Sequence, residues 1–84
     1  MNREELIGAL KPIIAPYTTN EEAFQKLTEE TDFMRDLQIN SANLVDIVLD
    51  IEDQFGIVIE NSDMERMLNV GAAVEIIESK LQEK

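Results

Sequence analysis

Between Ser41 and Gly56 the apolar residues Leu44, Ile47, Val48, Ile51 and Phe55 recur at helical spacing, with no proline and a glycine at the end. Such a run forms a helix with one face that must be buried, and a face of that kind needs other helices to cover it. Asp46, Asp50 and Asp53 fall together on the opposite side of the wheel, and Val45 and Leu49 lie between the two faces. The chain has 84 residues, enough for one domain spanning 1–84. A domain of this size buries roughly 60–65% of the surface its unfolded chain exposes, so its core is thin.

The remaining apolar residues supply the covering helices. Leu6, Leu10, Ile13 and Ile14 make a helical stripe across residues 2–14, with a kink or an end expected near Pro12 and Pro16 closing the segment. Tyr17 to Thr31 is a long polar connection, in which Asn20, followed by Glu21 and Glu22, is placed to cap a helical turn that buries Phe24 and Leu27. After Gly56, the extended piece Ile57–Ile59 leads to Ser62-Asp63-Met64-Glu65, a capping-box pattern opening a short helix through about Leu68. Asn69 then caps a final helix whose inner face is Val70, Ala73, Val74, Ile77 and Leu81, with Lys80 and Lys84 suiting the dipole at its end. No hairpin pattern or internal repeat is present. The expectation is an all-α, four-helix bundle with a short third helix and a long first connection.

Composition narrows the chemistry. There is no cysteine and no histidine, so thiolate sites, disulfides and the commonest general base and metal ligand are missing. The formal net charge of −11 repels nucleic acid and anionic lipid and favours basic protein patches. No signal-peptide pattern opens the sequence, and no apolar run approaches the roughly 18–20 residues of a membrane span. These features predict a cytoplasmic monomer that does not insert into membranes and is not an enzyme. A calcium loop fails on register: with Gly56 at the loop glycine, Ile51 and Phe55 occupy ligand positions. Paired carboxylates for glycoside chemistry lack a cleft in so small a domain.

Ser41 stands where irregular chain gives way to the long helix, and two readings compete for it. In one it caps the helix by accepting a backbone hydrogen bond. In the other its oxygen carries a phosphodiester, which the N–H groups and dipole of a helix start favour. Between Arg35 and Arg66 there is no basic residue, while Asp36, Asp46, Asp50, Glu52, Asp53, Glu60, Asp63 and Glu65 all fall there. A solvated helix usually mixes signs, so the one-sided charge points to docking through Val45, Asp46, Leu49, Asp50 and Asp53. Met34, Met64 and Met67 read as flexible core filler.

Phe33-x-x-Asp36-Leu37, then Ser41, then Val45-Asp46-x-Val48-x-x-x-Glu52-Asp53-x-Phe55, resembles the core of the acyl carrier protein family, and the likeness runs on into Val70-x-Ala72-Ala73-Val74. The resemblance covers about Phe33 to Ile77. It implies a bundle of acyl-carrier type and a covalent 4′-phosphopantetheine on Ser41, transferred from coenzyme A by a magnesium-dependent phosphopantetheinyl transferase. It implies too that acyl groups travel as thioesters on that arm to acyl-transferring or acyl-modifying enzymes with basic docking patches, in fatty-acid or specialised lipid biosynthesis. A fatty chain is then expected to shelter between the second and third helices, beside Ile59, Met64 and Met67.

The family pattern around its modified serine is Leu-Gly-x-Asp-Ser-Leu, and here Gln38 stands for the glycine, Asn40 for the aspartate and Ala42 for the leucine. Asn43 replaces a further acidic position. These departures and the long connection imply a specialised member with its own partners. Two alternatives stay open: an aminoacyl or peptidyl carrier with the same arm, and an unmodified acidic helical adaptor with Ser41 as a plain cap.

Overall fold

The computed structural model describes residues 2–82, and five helices follow one another along them: α1 (Arg3–Ile14), α2 (Glu21–Gln25), α3 (Ser41–Phe55), α4 (Asn61–Arg66) and α5 (Val70–Gln82). Four of these make the expected bundle, with α4 as its short member. The fifth, α2, is the helical turn inside the long connection. Asn20 caps it, with Oδ1 accepting from Ala23 N–H at 3.2 Å, while Phe24 and Leu27 pack half-buried against the core.

Helix α1 buries Leu6, Leu10 and Ile14, spaced by four, whereas Ile13 is only half-buried. The helix passes through exposed Pro12 and ends two residues later, where Ala15 N–H donates to Lys11 O at 2.9 Å. Helix α3 sends Leu44, Ile47, Val48 and Ile51 inward, with Phe55 half-buried, and stops at Gly56 in the left-handed region (φ 64°, ψ 41°). Helix α1 packs on α3 and α5, and α4 rests on α5. The inner face of α5 is as expected from Val70 to Ile77, with Leu81 half-buried, and Gly71 and Ile76 are buried as well. Lys80 lies in its last turn; Lys84 falls outside the described residues.

The opening of α4 differs from the capping box expected at Ser62. Glu60 is the N-cap, and its N–H donates to Asp63 Oδ2 at 3.3 Å. Ser62 is exposed inside the first turn. The buried pair Ile57 and Ile59 decides this: it pins the extended segment, so the chain turns at Glu60 as soon as Ile59 is seated. The helix ends at Arg66, slightly before Leu68.

The long connection also closes the start of α5. Val70 N–H donates to Thr31 O at 2.9 Å and Gly71 N–H to Glu29 O at 2.8 Å. Ala72 N–H donates to Asn69 Oδ1 at 2.8 Å and Ala73 N–H to Asn69 O at 3.2 Å, so all four N–H groups of the first turn are satisfied. An isolated antiparallel bridge, Asp32 with Asn69, continues this pairing, and Phe33 N–H donates to Leu68 O at 3.1 Å. No strand occurs among the described residues.

Candidate functional site

The segment leading into α3 is a built neck. Asp32 Oδ1 accepts from the N–H groups of Met34 (2.9 Å) and Arg35 (2.8 Å), and Asp36 Oδ2 accepts from Asp32 N–H at 2.8 Å. Phe33, Leu37 and Ile39 are buried in the core, and Ile39 N–H returns to Phe33 O at 2.9 Å. Between the last two anchors Gln38 takes φ 57°. A residue with a Cβ pays strain there that glycine does not.

Three consecutive side chains of the first connection grip this neck. Thr18 Oγ1 donates to Leu37 O at 2.8 Å, Thr19 Oγ1 to Gln38 Oε1 at 3.2 Å, and Asn20 Nδ2 to Asp36 O at 2.8 Å. Sequence reasoning missed this grip, because hydrogen bonds across 16 to 19 residues leave no local pattern. The left-handed turn did leave one: Gln38 stands where the family pattern has glycine.

Asn40, not Ser41, caps α3. Its Oδ1 accepts from Asn43 N–H at 2.8 Å, and its carbonyl accepts from Leu44 N–H at 2.9 Å. The cap expected of Ser41 is therefore overturned: buried Ile39 sets the register, and the first residue after it with extended backbone is Asn40 (φ −78°, ψ 168°). Ser41 is the first helical residue and is exposed, as is Ala42 beside it. N–H groups at this position have no partner within the helix and face a positive dipole end. An exposed hydroxyl in that place fits a phosphodiester.

Down α3 from Ser41, Val45 and Leu49 are 41% and 56% exposed, and Asp46, Asp50 and Asp53 are exposed with them. From Ser41 to Asp53 the axial distance is about 18 Å at the α-helical rise. The face joins at one side to the connection, where the Tyr17 hydroxyl donates to Asp50 Oδ2 at 3.4 Å. Partial burial first, and then the charges of Asp50 and Asp46, raise the Tyr17 phenol above its ordinary value. Glu52 does not belong to this face: its Oε2 accepts from Ile59 N–H at 2.8 Å and holds the extended segment to the helix.

Of the later acidic residues, Asp63 has structural work. Asp63 is buried, with Arg66 Nη2 at 2.7 Å from Oδ1 and Lys80 Nζ at 3.1 Å from Oδ2, and these two donors hold its carboxyl below the usual range. Beside it Met64 is half-buried and Met67 fully buried, as core methionines would be; Met34 is not core and stands 47% exposed.

Residues 20–77 match the family model described as a phosphopantetheine attachment site, which is more than half of the chain. An acyl carrier protein of Thermotoga maritima is 38% identical over 95% of this chain and 96% of its own. The chain belongs to the acyl carrier protein family. One from Coprothermobacter proteolyticus is 36% identical over the full length of both chains. Among solved structures, the acyl carrier protein of Enterococcus faecalis superposes with a TM-score of 0.75 at 32% identity, covering 95% of this chain and 99% of that one. The protein is thus a carrier rather than a catalyst, and the group it carries its cargo on is a covalently attached 4′-phosphopantetheine. That arm supplies the thiol this cysteine-free chain lacks. As an acyl carrier it works with a phosphopantetheinyl transferase and with acyl-handling enzymes.

Proposed function

We propose that Ser41 is the attachment residue of the arm, within a single carrier domain. The observation that supports this most is the division of labour at the start of α3: Asn40 makes the cap, so the exposed Ser41 hydroxyl has no local structural task. In loading, the serine oxygen takes the phosphoryl group of coenzyme A, gives up its proton, and 3′,5′-ADP leaves. No cysteine, histidine or lysine stands near Ser41 in the sequence to drive this, so the transferase with magnesium supplies the chemistry. The test is the intact mass of the protein after incubation with coenzyme A, magnesium and a broad-specificity transferase. A gain of one phosphopantetheine that disappears in Ser41→Ala supports the assignment; a gain that persists in the mutant ends it.

Val45, Asp46, Leu49, Asp50 and Asp53 form the docking face in this reading. Carboxylates around two exposed aliphatic side chains suit basic partner patches that must bind and leave quickly, since charge speeds association more than it tightens it. The carrier works as a cytoplasmic monomer on acyl intermediates of fatty-acid or specialised lipid synthesis, without nucleic acid or membrane insertion. Among the described residues no helix is long and apolar enough to cross a membrane. Ile59, Met64 and Met67 yield to a long acyl chain between α3 and α4; unchanged amide shifts at these residues on long-chain acylation would remove that element.

The neck departs from the family pattern at Gln38, Asn40 and Ala42, and this supports a specialised carrier. Equal processing by general fatty-acid enzymes and an ordinary carrier's rate would count against it. The relatives' names favour an acyl over an aminoacyl cargo, and neighbouring genes for acyl synthases or adenylating enzymes separate the two. The plain adaptor loses its premise, because Ser41 is not the cap.

A further inference from the structure

Outside the docking face, Met34, Val58 and Leu68 are the large apolar side chains exposed among the described residues, and Met34 and Leu68, at 47% and 59% exposure, lie together. They line one groove of about 440 Å³ together with Asp32, Arg35 and Met67. Met67 borders the groove from the core side and is fully buried, and a methionine there can repack as an aliphatic chain settles. At its rim the Arg35 guanidinium is exposed, and among the described residues no carboxylate lies within ion-pair distance of it. Asp32 shares the groove, but its Oδ1 is held by the N–H groups of Met34 and Arg35.

A cation beside apolar surface is out of keeping with a chain of net charge −11 whose docking face is acidic. Exposed apolar side chains beside an unpaired cation match the chemistry of an aliphatic chain that ends in an anion. The position is close to the attachment residue. Ser41 lies two residues after Ile39, whose N–H is 2.9 Å from Phe33 O, so Ser41 and Met34 are at most about 15 Å apart along this path. That is shorter than an extended phosphopantetheine arm. A shallow groove with one exposed charge is a weak site for a free ligand, but tethering raises the effective concentration to roughly millimolar.

We propose that the groove of Met34, Arg35, Met67 and Leu68 receives acyl cargo that ends in a carboxylate, the aliphatic part along the apolar side chains and the carboxylate on Arg35. This rests on Ser41 as the attachment residue. The experiment loads the chain from adipoyl-coenzyme A in one sample and from hexanoyl-coenzyme A in another, acyl groups of equal length that differ in the terminal carboxylate. Backbone amide and arginine Nε–H spectra are compared. The adipoyl form is expected to shift the Met34, Arg35 and Leu68 signals at least twofold more than the hexanoyl form, and Arg35→Gln is expected to erase the excess without changing the circular dichroism. Equal shifts for the two cargoes, or an excess that survives Arg35→Gln, would overturn the groove assignment while leaving Ser41 in place. Loading that persists in Ser41→Ala would overturn the attachment residue, and the groove assignment with it.

Discussion

Gly71 N–H donates to the carbonyl oxygen of Glu29 at 2.8 Å, and a Cβ built on residue 71 would stand 2.9 Å from that same oxygen. The two backbones meet where the long connection crosses the start of α5. Neighbouring contacts reinforce the crossing: Arg3 pairs with Glu29 and Glu78, its Nε 2.7 Å from Glu29 Oε1 and its Nη1 3.0 Å from Glu78 Oε1. Through Glu29, the start of α1, the connection and α5 are tied at one end of the bundle.

Gly71→Ala is therefore expected to destabilise the fold by about 1–3 kcal/mol, since the atom in the way is backbone and moves only with its segment. Gly8→Ala is the control. A Cβ there meets nothing within 4 Å, and an exposed helix-interior alanine is expected to add about 0.5–1 kcal/mol. Urea unfolding of the two variants gives the comparison, and equal effects would refute it.

At the start of α3 the cap, Asn40, and the proposed attachment residue, Ser41, are adjacent. Asn40→Ala removes the cap and is expected to cost about 1 kcal/mol, with loading by the transferase retained. Ser41→Ala is expected to change stability by less than about 0.5 kcal/mol and to abolish loading. Denaturant melts and intact mass on both variants check this. Stability loss in Ser41→Ala with none in Asn40→Ala would restore the serine as the cap.

What the sequence made readable was whatever repeats at helical spacing or sits at a helix end. The core faces of α1, α3 and α5, the left-handed Gly56, the Asn20 and Asn69 caps and the exposed row of Asp46, Asp50 and Asp53 were all legible on those grounds. The true caps of α3 and α4, Asn40 and Glu60, each lie earlier than the serine that could have filled the role. A Ser at either place looks like a cap locally, but buried Ile39 and Ile59 set the register. The grip of Thr18, Thr19 and Asn20 on the neck was illegible, because it joins distant segments through single polar atoms.

Gln38 carries backbone strain that its side chain offsets only through the 3.2 Å contact from Thr19 Oγ1. Gln38→Gly relieves about 1–2 kcal/mol of left-handed strain and costs about 0.4–1 kcal/mol in unfolded-chain entropy. The net expectation is a gain of about 0.5 kcal/mol, read as a higher denaturation midpoint with an unchanged slope. A lower midpoint would mean that the Thr19 contact outweighs the strain.

Asp63 gives stability a defined pH dependence. The hydrogen bonds from Arg66 and Lys80 lower its folded pKa below the unfolded value, so its contribution is complete above the ordinary carboxylate range. As pH falls below about 4 towards the folded pKa, that contribution is lost. Asp63→Asn is expected to cost about 1–2 kcal/mol at neutral pH and to flatten the acid limb of the stability curve. An unaltered acid limb would show that other carboxylates govern it.

The carboxylates of α3 predict a different signature, in rates rather than in stability. Asp46, Asp50 and Asp53 are exposed, so replacing each with Asn is expected to leave the unfolding midpoint within about 0.5 kcal/mol of the parent. Docking by charge predicts that the triple variant associates more slowly with the transferase at low salt, and that raising salt slows the parent but hardly affects the variant. Leu49→Ala should act the other way, shortening the complex's lifetime with little change in association, because an exposed apolar contact holds a docked partner but does not attract one. Stopped-flow association at two ionic strengths separates the two contributions. If the triple variant keeps the parent's salt dependence, the acidic row is a solvated face and docking runs through other residues.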